Sequence, residues 1–502
     1  MYKHNLKQLE LPEFSLPFQG ELSRDNKWVK MAALIPWEEF EARYKKNFAK
    51  SGTGYPALSV RMALAALIIK EELRASDRAC VEQITENPYL QYFCGLKAFI
   101  TSPPFDASLF VHFRKRFPAD VLSEVNNAIA DRVRSNRQDH PPKDPQPPVN
   151  EEETTTISPA PPNHGRLMVD ATCTPADITF PTDIKLLNKA REKSEQLIDI
   201  LHQARGKGYK KPRSYRQRAR KQFLSVAKDK RMSRQKIRRC LRQQLGYLRR
   251  NLRHIDQLAK QAGIGALKRR QYKDLLVISE VLRQQQWMYD NRSRRIDDRI
   301  VSIEQPHVRP IKRGKAAADT EFGAKVSISL VDGISFVDTI SWDNFNEGGE
   351  LVDQIETYRN RFGYYPESVH ADKIYRNRDN RRYCKQRGIR LSGPRLGRPP
   401  KVTESNAQAL KDAGKMARQD EIARNAVEGK FGQGKRRYSL NRIMTRLSCT
   451  SETAIMVSFL VMNLNRWLTT FVLFFFQRSM TFLSTIRSVL SSWLGPLYRP
   501  AT

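Results

Sequence analysis

The sequence predicts an α/β core split by a long basic helical insertion and preceded by an all-α N-terminal domain. Three observations carry this. Strand-like runs alternate with helix-like stretches over 166–190 and 301–466. Between them, residues 201–260 hold 21 Lys and Arg against two acids, Asp229 and Asp256, a net of +19. Ahead of both, residues 136–165 carry eight prolines beside Glu151 to Glu153 and a threonine run, a composition that builds no core. The expected organisation is a helical DNA-binding or oligomerisation domain (1–135), a Pro-rich linker (136–165), an α/β domain assembled from 166–190 and 301–466, a basic helical insertion (191–300) and a hydrophobic C-terminal tail (467–502).

The N-terminal helices are read from apolar spacing. Ser59 to Leu73 carries Val60, Leu64, Leu67 and Ile68 at helical intervals, and Ser76 is placed to cap a segment with Cys80, Val81 and Ile84 on one face. Asn87-Pro88 breaks it; further helices are expected around Phe110 to Phe117 and after Pro118. Short, basic, turn-separated helices suit a helix-turn-helix module and suit a helical packing or dimerisation domain equally. In the insertion, apolar residues from Ile237 onward (Leu241, Leu245, Leu248, Leu252, Ile255) recur at helical spacing, which predicts an amphipathic hairpin with one very basic face. The scarcity of acids there favours a phosphate-binding surface over a merely solvated one.

In the α/β part, Arg166 to Asp170 and Ser368 to Asp372 are short apolar runs that each end in a carboxylate. Val326 to Val331 alternates, Asp332-Gly333 is a two-residue hairpin signal, and Ile334 to Ile340 continues the hairpin. Glu350 to Arg361, Asn377 to Gln386 and 404–428 read as helices, Ile389 to Ser392 as a strand and Gly393 to Pro400 as a loop. On the last helix Arg424 and Glu428 share a face, with Ile422, Ala426 and Phe431 expected toward the core. Gly429, Gly432 and Gly434, each costing about 1 kcal/mol in a helix, predict that Lys435 sits on a loop beyond its end.

Charge sets the partner. The 502 residues contain 88 Lys and Arg against 53 Asp and Glu, a net of +35 that argues against an ordinary small-substrate enzyme and for a polyanion: DNA, RNA or an anionic membrane. The apolar runs 454–464 and 467–476 fall short of the roughly 20 residues a membrane span needs, so a buried helix and an apolar tail are expected, with no membrane partner. The first ten residues lack the apolar core of a signal peptide. The six cysteines are single, with no C-x-x-C pair, which fits a reducing cytoplasm and no zinc ribbon. Of the acids, Asp170 and Asp372 share the strand-end position where open α/β folds gather ligand-binding groups, and Glu428 is the third candidate. Clustered carboxylates repel unless divalent cations bind them; all-oxygen ligation suits Mg²⁺. The alternative is that the aspartates cap strands and Glu428 pairs with Arg424.

These motifs resemble those of bacterial insertion-sequence transposases of the DDE superfamily, in the group with a ribonuclease-H-like catalytic core and an InsH-type N-terminal domain. The first matches Val169-Asp170-Ala171-Thr172, the second Ala371-Asp372-Lys373-Ile374-Tyr375, and the third Arg424-x3-Glu428-x6-Lys435, part of a Tyr-x2-Arg-x3-Glu-x6-Lys signature. Glu421 stands at the Tyr position, which leaves that signature incomplete. Blocks at Ser59 to Leu64, Glu86 to Gly95, Asp106 to Phe110, Phe113 to Arg116, Pro306 to Pro310 and Glu321 to Gly323 extend the likeness over about 27–467. The resemblance implies a mixed sheet flanked by helices, with Asp170, Asp372 and Glu428 as catalytic, metal-binding carboxylates for two Mg²⁺ (or Mn²⁺) ions. It implies DNA contacts from Arg424 and Lys435; the basic insertion adds Lys210, Lys211, Arg213, Arg216, Arg218, Arg220, Lys221, Arg238 and Arg239. It implies phosphodiester hydrolysis and strand transfer at terminal inverted repeats, into target duplex DNA, by a homodimer or higher homo-oligomer at the nucleoid. Two other readings are a transposase-derived repressor without chemistry and an RNA-binding or RNA-cleaving enzyme.

Overall fold

A computed structural model describes residues 14–16, 20–46, 57–138, 162–206, 208–229, 233–312, 320–393, 403 and 406–469. The expected hydrophobic tail beyond Thr469 and most of the Pro-rich linker lie outside the described residues.

The N-terminal part is helical: α1 (Lys27–Leu34), α2 (Trp37–Lys46), α3 (Val60–Leu73), α4 (Asp77–Glu86), α5 (Pro88–Phe93), α6 (Leu109–Arg116) and α7 (Ala119–Gln138). Ser59 and Ser76 accept the Met62 and Ala79 amides at 3.1 Å, caps worth about 1 kcal/mol each. Asn87 ends α4 and caps α5, whose first residue is Pro88. The buried Arg61 of α3 donates to the carbonyls of Tyr92 and Phe93 at the end of α5, at 2.7 and 3.1 Å.

These helices share one core with one face of the sheet and the C-terminal helices. Their apolar faces meet alternate residues of a central strand and a helix over 448–469, here α15. Buried polar bonds fix the join: Asn463 donates to Asn126 on α7 at 2.8 Å, and Ser458 donates to Glu71 on α3 at 3.0 Å. The apolar run at 454–464 is thus a buried helix. No described helix is long and apolar enough to cross a membrane.

One mixed sheet forms the centre. Its strands are β1 (Arg166–Pro175), β2 (Arg309–Lys312), β3 (Thr320–Val331), β4 (Ile334–Ser341), β5 (Ser368–Ala371) and β6 (Arg390–Leu391), in the order β2-β3-β1-β5-β6, with β4 also on β3. β1 is antiparallel to β3 and parallel to β5, and β5 is parallel to β6. The turn between β3 and β4 places Asp332 and Gly333 both at positive φ, 51° and 80°. Leu167 and Val169 face α12 (Leu351–Phe362) and α13 (Arg378–Gln386), while Met168 and the alternate residues of β3 face α14 (Ala407–Arg437) and α15. That alternation turns Asp170 toward α14.

The insertion builds a separate core from α8 (Asp183–Ala204), α10 (Arg234–Ala262) and α11 (Arg269–Asp290), with α9 (Arg216–Ala227) packed beside α8 and α10. The densest basic stretch folds largely into α9 and α10, and the apolar stripe read from Ile237 onward lies on α10, packed against α8. Buried polar pairs tie α10 to its neighbours: Asn251 donates to Ser194 on α8 at 2.9 Å and Gln244 to the Ala219 carbonyl on α9 at 3.1 Å.

Three local expectations are corrected. Asp170 does not end its strand: β1 continues to Pro175 because the long β3 goes on pairing with it after β5 has stopped. α14 does not end before Lys435 but runs to Arg437. Gly434 is there for packing, since a Cβ would lie 2.6 Å from the Leu440 side chain and 3.4 Å from the Met462 sulfur. Ile422 and Ala426 do not face the core; Ile422 is 63% exposed, and Val427, Phe431 and Gly434 carry the buried face.

Candidate active site

The parallel register of β1 and β5 creates the site. The last paired residues are Val169 and Ala371, so Asp170 and Asp372 are the next residues on neighbouring strands. Strands lie about 4.8 Å apart. Beyond this level β5 gives way to a 3-10 turn, Lys373–Tyr375, while β1 continues, which opens a step in the sheet. Asp372 caps that turn, accepting the Lys373 amide at 2.6 Å; Asp170 accepts its neighbour Ala171's amide at 2.8 Å.

The electrostatics are unbalanced. Burial pushes the Asp170 carboxyl up to about 6, and the nearby charges of Glu347 and Asp372 add to this. The Ala171 amide and Arg424 act in the opposite sense. The phenol of the fully buried Tyr375 is also raised, by burial first and then by Glu347 and Asp170.

α14 supplies the roof. It packs across β1 and β5 and is pinned there by the buried Asp420, which accepts two bonds from Arg390 on β6 at 2.6 and 2.9 Å and lies 3.5 Å from His370 Nδ1 on β5. Burial holds His370 below its ordinary value, so the ring is neutral at pH 7. One and two turns on come Arg424 and Glu428. Arg424 bridges Glu421 at 2.7 Å and Glu428 at 3.1 Å, and it senses Asp372 as well. Its guanidinium is held above its ordinary range, chiefly by Glu421, and Glu421 is held below its own by Arg424. Lys435 continues the same helical face, seven residues beyond Glu428 at about 100° per residue.

The structure therefore brings Asp170, Asp372 and Arg424 together, with Glu428 57% exposed on the rim and turned to Arg424. Among the described residues no three His, Cys, Asp or Glu side chains form a ready metal-holding group. Two further acids stand at the site, Glu421, read from the sequence only as a departure, and Glu347, which carried no sequence signal. Glu421 fills the departure from the Tyr signature with a second anion for Arg424. Glu347 faces Asp170 from a 3-10 turn over Glu347–Gly349, held against the Asp372 turn by bonds from Asn377 and Asn380 to the Gly348 carbonyl at 3.1 and 2.7 Å. Its own partner is Lys325 at 2.9 Å. Only a long-range contact reveals it.

The insertion residues divide. Arg216 and Lys211 are both tied to Asp199, Arg216 through Nη1 at 2.8 Å and Lys211 at 2.6 Å. Arg238 lies over the Tyr289 ring at 4.0 Å, and Arg213 over Tyr215 at 4.8 Å. Lys210, Arg218, Arg220, Lys221 and Arg239 are exposed.

The family described as "Transposase DDE domain" matches residues 369–465, from β5 through α15, and the family described as "Transposase domain (DUF772)" matches residues 17–116. An uncharacterised protein, ORF8 in the nfe locus of Rhizobium meliloti, is 30% identical over 162 residues, 32% of this chain and 68% of its own length. No solved structure matches. The chain belongs to the insertion-sequence transposases of the DDE family.

Proposed function

We propose that the chain is an active transposase that cuts its element's ends and transfers the freed strands to target DNA, on a ribonuclease-H-like core. The observation that supports this most is the placement of Asp170 and Asp372 on adjacent parallel strands beneath the Arg424–Glu428 face of α14. The mixed sheet, with an antiparallel hairpin on one side of β1 and parallel strands on the other, supports the core assignment.

Members of this family generally use divalent metal ions, and the donor chemistry here fits them. Asp170 and Asp372 are hard oxygen donors, and the raised Asp170 carboxyl marks a place short of positive charge. Asp170, Asp372 and Glu428 would hold two Mg²⁺ (or Mn²⁺) ions. Such ions supply activation of the attacking oxygen and neutralisation of the departing one. The chain's own residues do the rest. Arg424 and Lys435 meet phosphate oxygens on the open side of the site. Tyr375 closes its floor against water. In cleavage, a water oxygen bonds to phosphorus as the P–O3′ bond breaks, leaving a 3′-hydroxyl and a 5′-phosphate. In transfer, that hydroxyl displaces a 3′-oxygen of the target strand. No protein nucleophile is needed. The basic insertion and the N-terminal domain hold the duplex, and pairing of two ends calls for at least a dimer.

A repressor reading has one observation in its favour: Glu428 is engaged by Arg424 and does not meet the two aspartates. A cleavage assay on duplexes carrying the element's terminal repeats separates the two. Mg²⁺-dependent 3′-hydroxyl ends, lost in Asp170→Asn and Glu428→Gln, support the enzyme. End binding with no nicking at any Mg²⁺ or Mn²⁺ concentration supports the repressor.

A further inference from the structure

Four arginines surround one groove of the insertion. A groove of about 760 Å³ lies between the start of α9 and the middle of α10, with Arg213 and Arg218 on one side and Arg242 and Arg250 on the other. No carboxylate lines it, and among the described residues none of the four arginines is in an ion pair. In and beside the insertion the acids neutralise other cations: Lys189 with Glu304 at 2.8 Å, Lys236 with Asp229 at 2.7 Å, Lys260 with Asp256 at 2.9 Å, and Arg216 with Asp199.

The groove is also built. Arg242, Gly246, Arg250 and His254 fall every fourth residue along α10, a single stripe with steps of about 6 Å. Gly246 sits within that 29-residue helix, where glycine costs about 1 kcal/mol, yet a Cβ there would meet nothing within 4 Å. Packing does not require this glycine; its effect is to keep the groove floor open. Across the groove Tyr215 adopts φ 53°, a costly conformation for a bulky residue, and its ring carries the guanidiniums of Arg213 at 4.8 Å and Arg250 at 4.6 Å. With two guanidiniums against it, the ring works as a spacer that orders them rather than as a platform for a base.

We propose that this groove clamps the phosphodiester backbone of one strand of duplex DNA without regard to sequence, and that it supplies most of the insertion's DNA affinity. At about 760 Å³ the groove has room for a stretch of backbone, not a duplex, and its donors are guanidiniums suited to phosphate oxygens, not groups set to read base edges. This rests on the reading of the chain as a duplex-binding transposase.

The test measures binding of the full chain to a random-sequence duplex and to a terminal-repeat duplex across a salt series. The triple variant Arg218→Gln/Arg242→Gln/Arg250→Gln should lower the slope of log K against log salt by about 2 to 3, at about 0.9 per phosphate, equally on both duplexes. The control Lys189→Gln/Lys236→Gln/Lys260→Gln removes the same charge and should lower it by less than about 1. Gly246→Leu keeps every charge, should raise helix stability, and should still weaken binding by about tenfold or more by filling the floor. Equal slope changes in the two triple variants, a loss confined to one duplex, or undiminished binding by Gly246→Leu would overturn the groove assignment. A wild-type chain that binds neither duplex would instead overturn the transposase reading beneath it.

Discussion

The face of the sheet under α14 and the groove on α10 are opposite solutions to crowding like charges. At the sheet, Asp170, Asp372 and Glu347 converge where burial already raises the Asp170 carboxyl, with Arg424 and Lys325 as cationic relief. In the groove, four arginines are held apart by a tyrosine ring and a glycine floor, while the region's acids are spent on other cations. Each surface is unbalanced alone. On the reading proposed above, divalent cations would balance the first and DNA phosphates the second.

The comparison breaks most visibly at the aspartates. Asp372→Asn is expected to cut the cleavage rate by on the order of 10³-fold, the scale of a lost metal ligand in phosphoryl transfer, with the fold intact by circular dichroism. Asp170→Asn should do the same and should also raise the stability of the metal-free protein at pH 7 by about 2 kcal/mol, because it removes a charge that burial disfavours. A destabilised Asp170→Asn would assign the residue to structure instead.

The roof comes next. Asp420→Ala leaves Arg390 and His370 without their partner and should cost about 2 kcal/mol in urea unfolding. It should lower cleavage as well, because α14 loses its anchor. Arg390→Lys keeps a charge but not the paired bonds, and an intermediate loss is expected.

The smallest expected effect is on pH. The folded Asp170 carboxyl sits near 6 and the free one near 3.8. The metal-free folded chain therefore keeps a proton between these values that the unfolded chain releases, and the site's contribution to stability falls as pH rises through that window. Cation affinity runs the other way, rising with pH up to about 6 and levelling above it. Thermal melts of wild type and Asp170→Asn should converge near pH 4 and separate above pH 6.

Much of this is legible in the chain, and the failures are physical. Serine caps, the Asp332-Gly333 hairpin, the buried 454–464 helix and the apolar stripe of α10 are local patterns, and local patterns survive folding. The end of β1 is not local, since its length is set by how far β3 reaches. Nor is the end of α14, where three glycines read as a stop until Leu440 and Met462 show what one of them makes room for. Glu347 became visible only once two turns and a helix were stacked on the same edge, and Glu421, read from the sequence as a departure, gained its role as a partner of Arg424 only there. In the insertion, charge density located the surface, but only ion pairing separates Arg216 and Lys211, bound to Asp199, from Arg242 and Arg250 in the open groove.

The central claim is that Asp170 and Asp372, roofed by α14, form a divalent-cation site. Calorimetric titration of the full chain with Mn²⁺ at pH 7.5 tests it most directly. The account predicts saturable binding that weakens at least tenfold in Asp170→Asn and in Asp372→Asn, and remains unchanged in Lys189→Gln. Wild-type binding that both aspartate variants retain, or no saturable binding by the wild type, would contradict it.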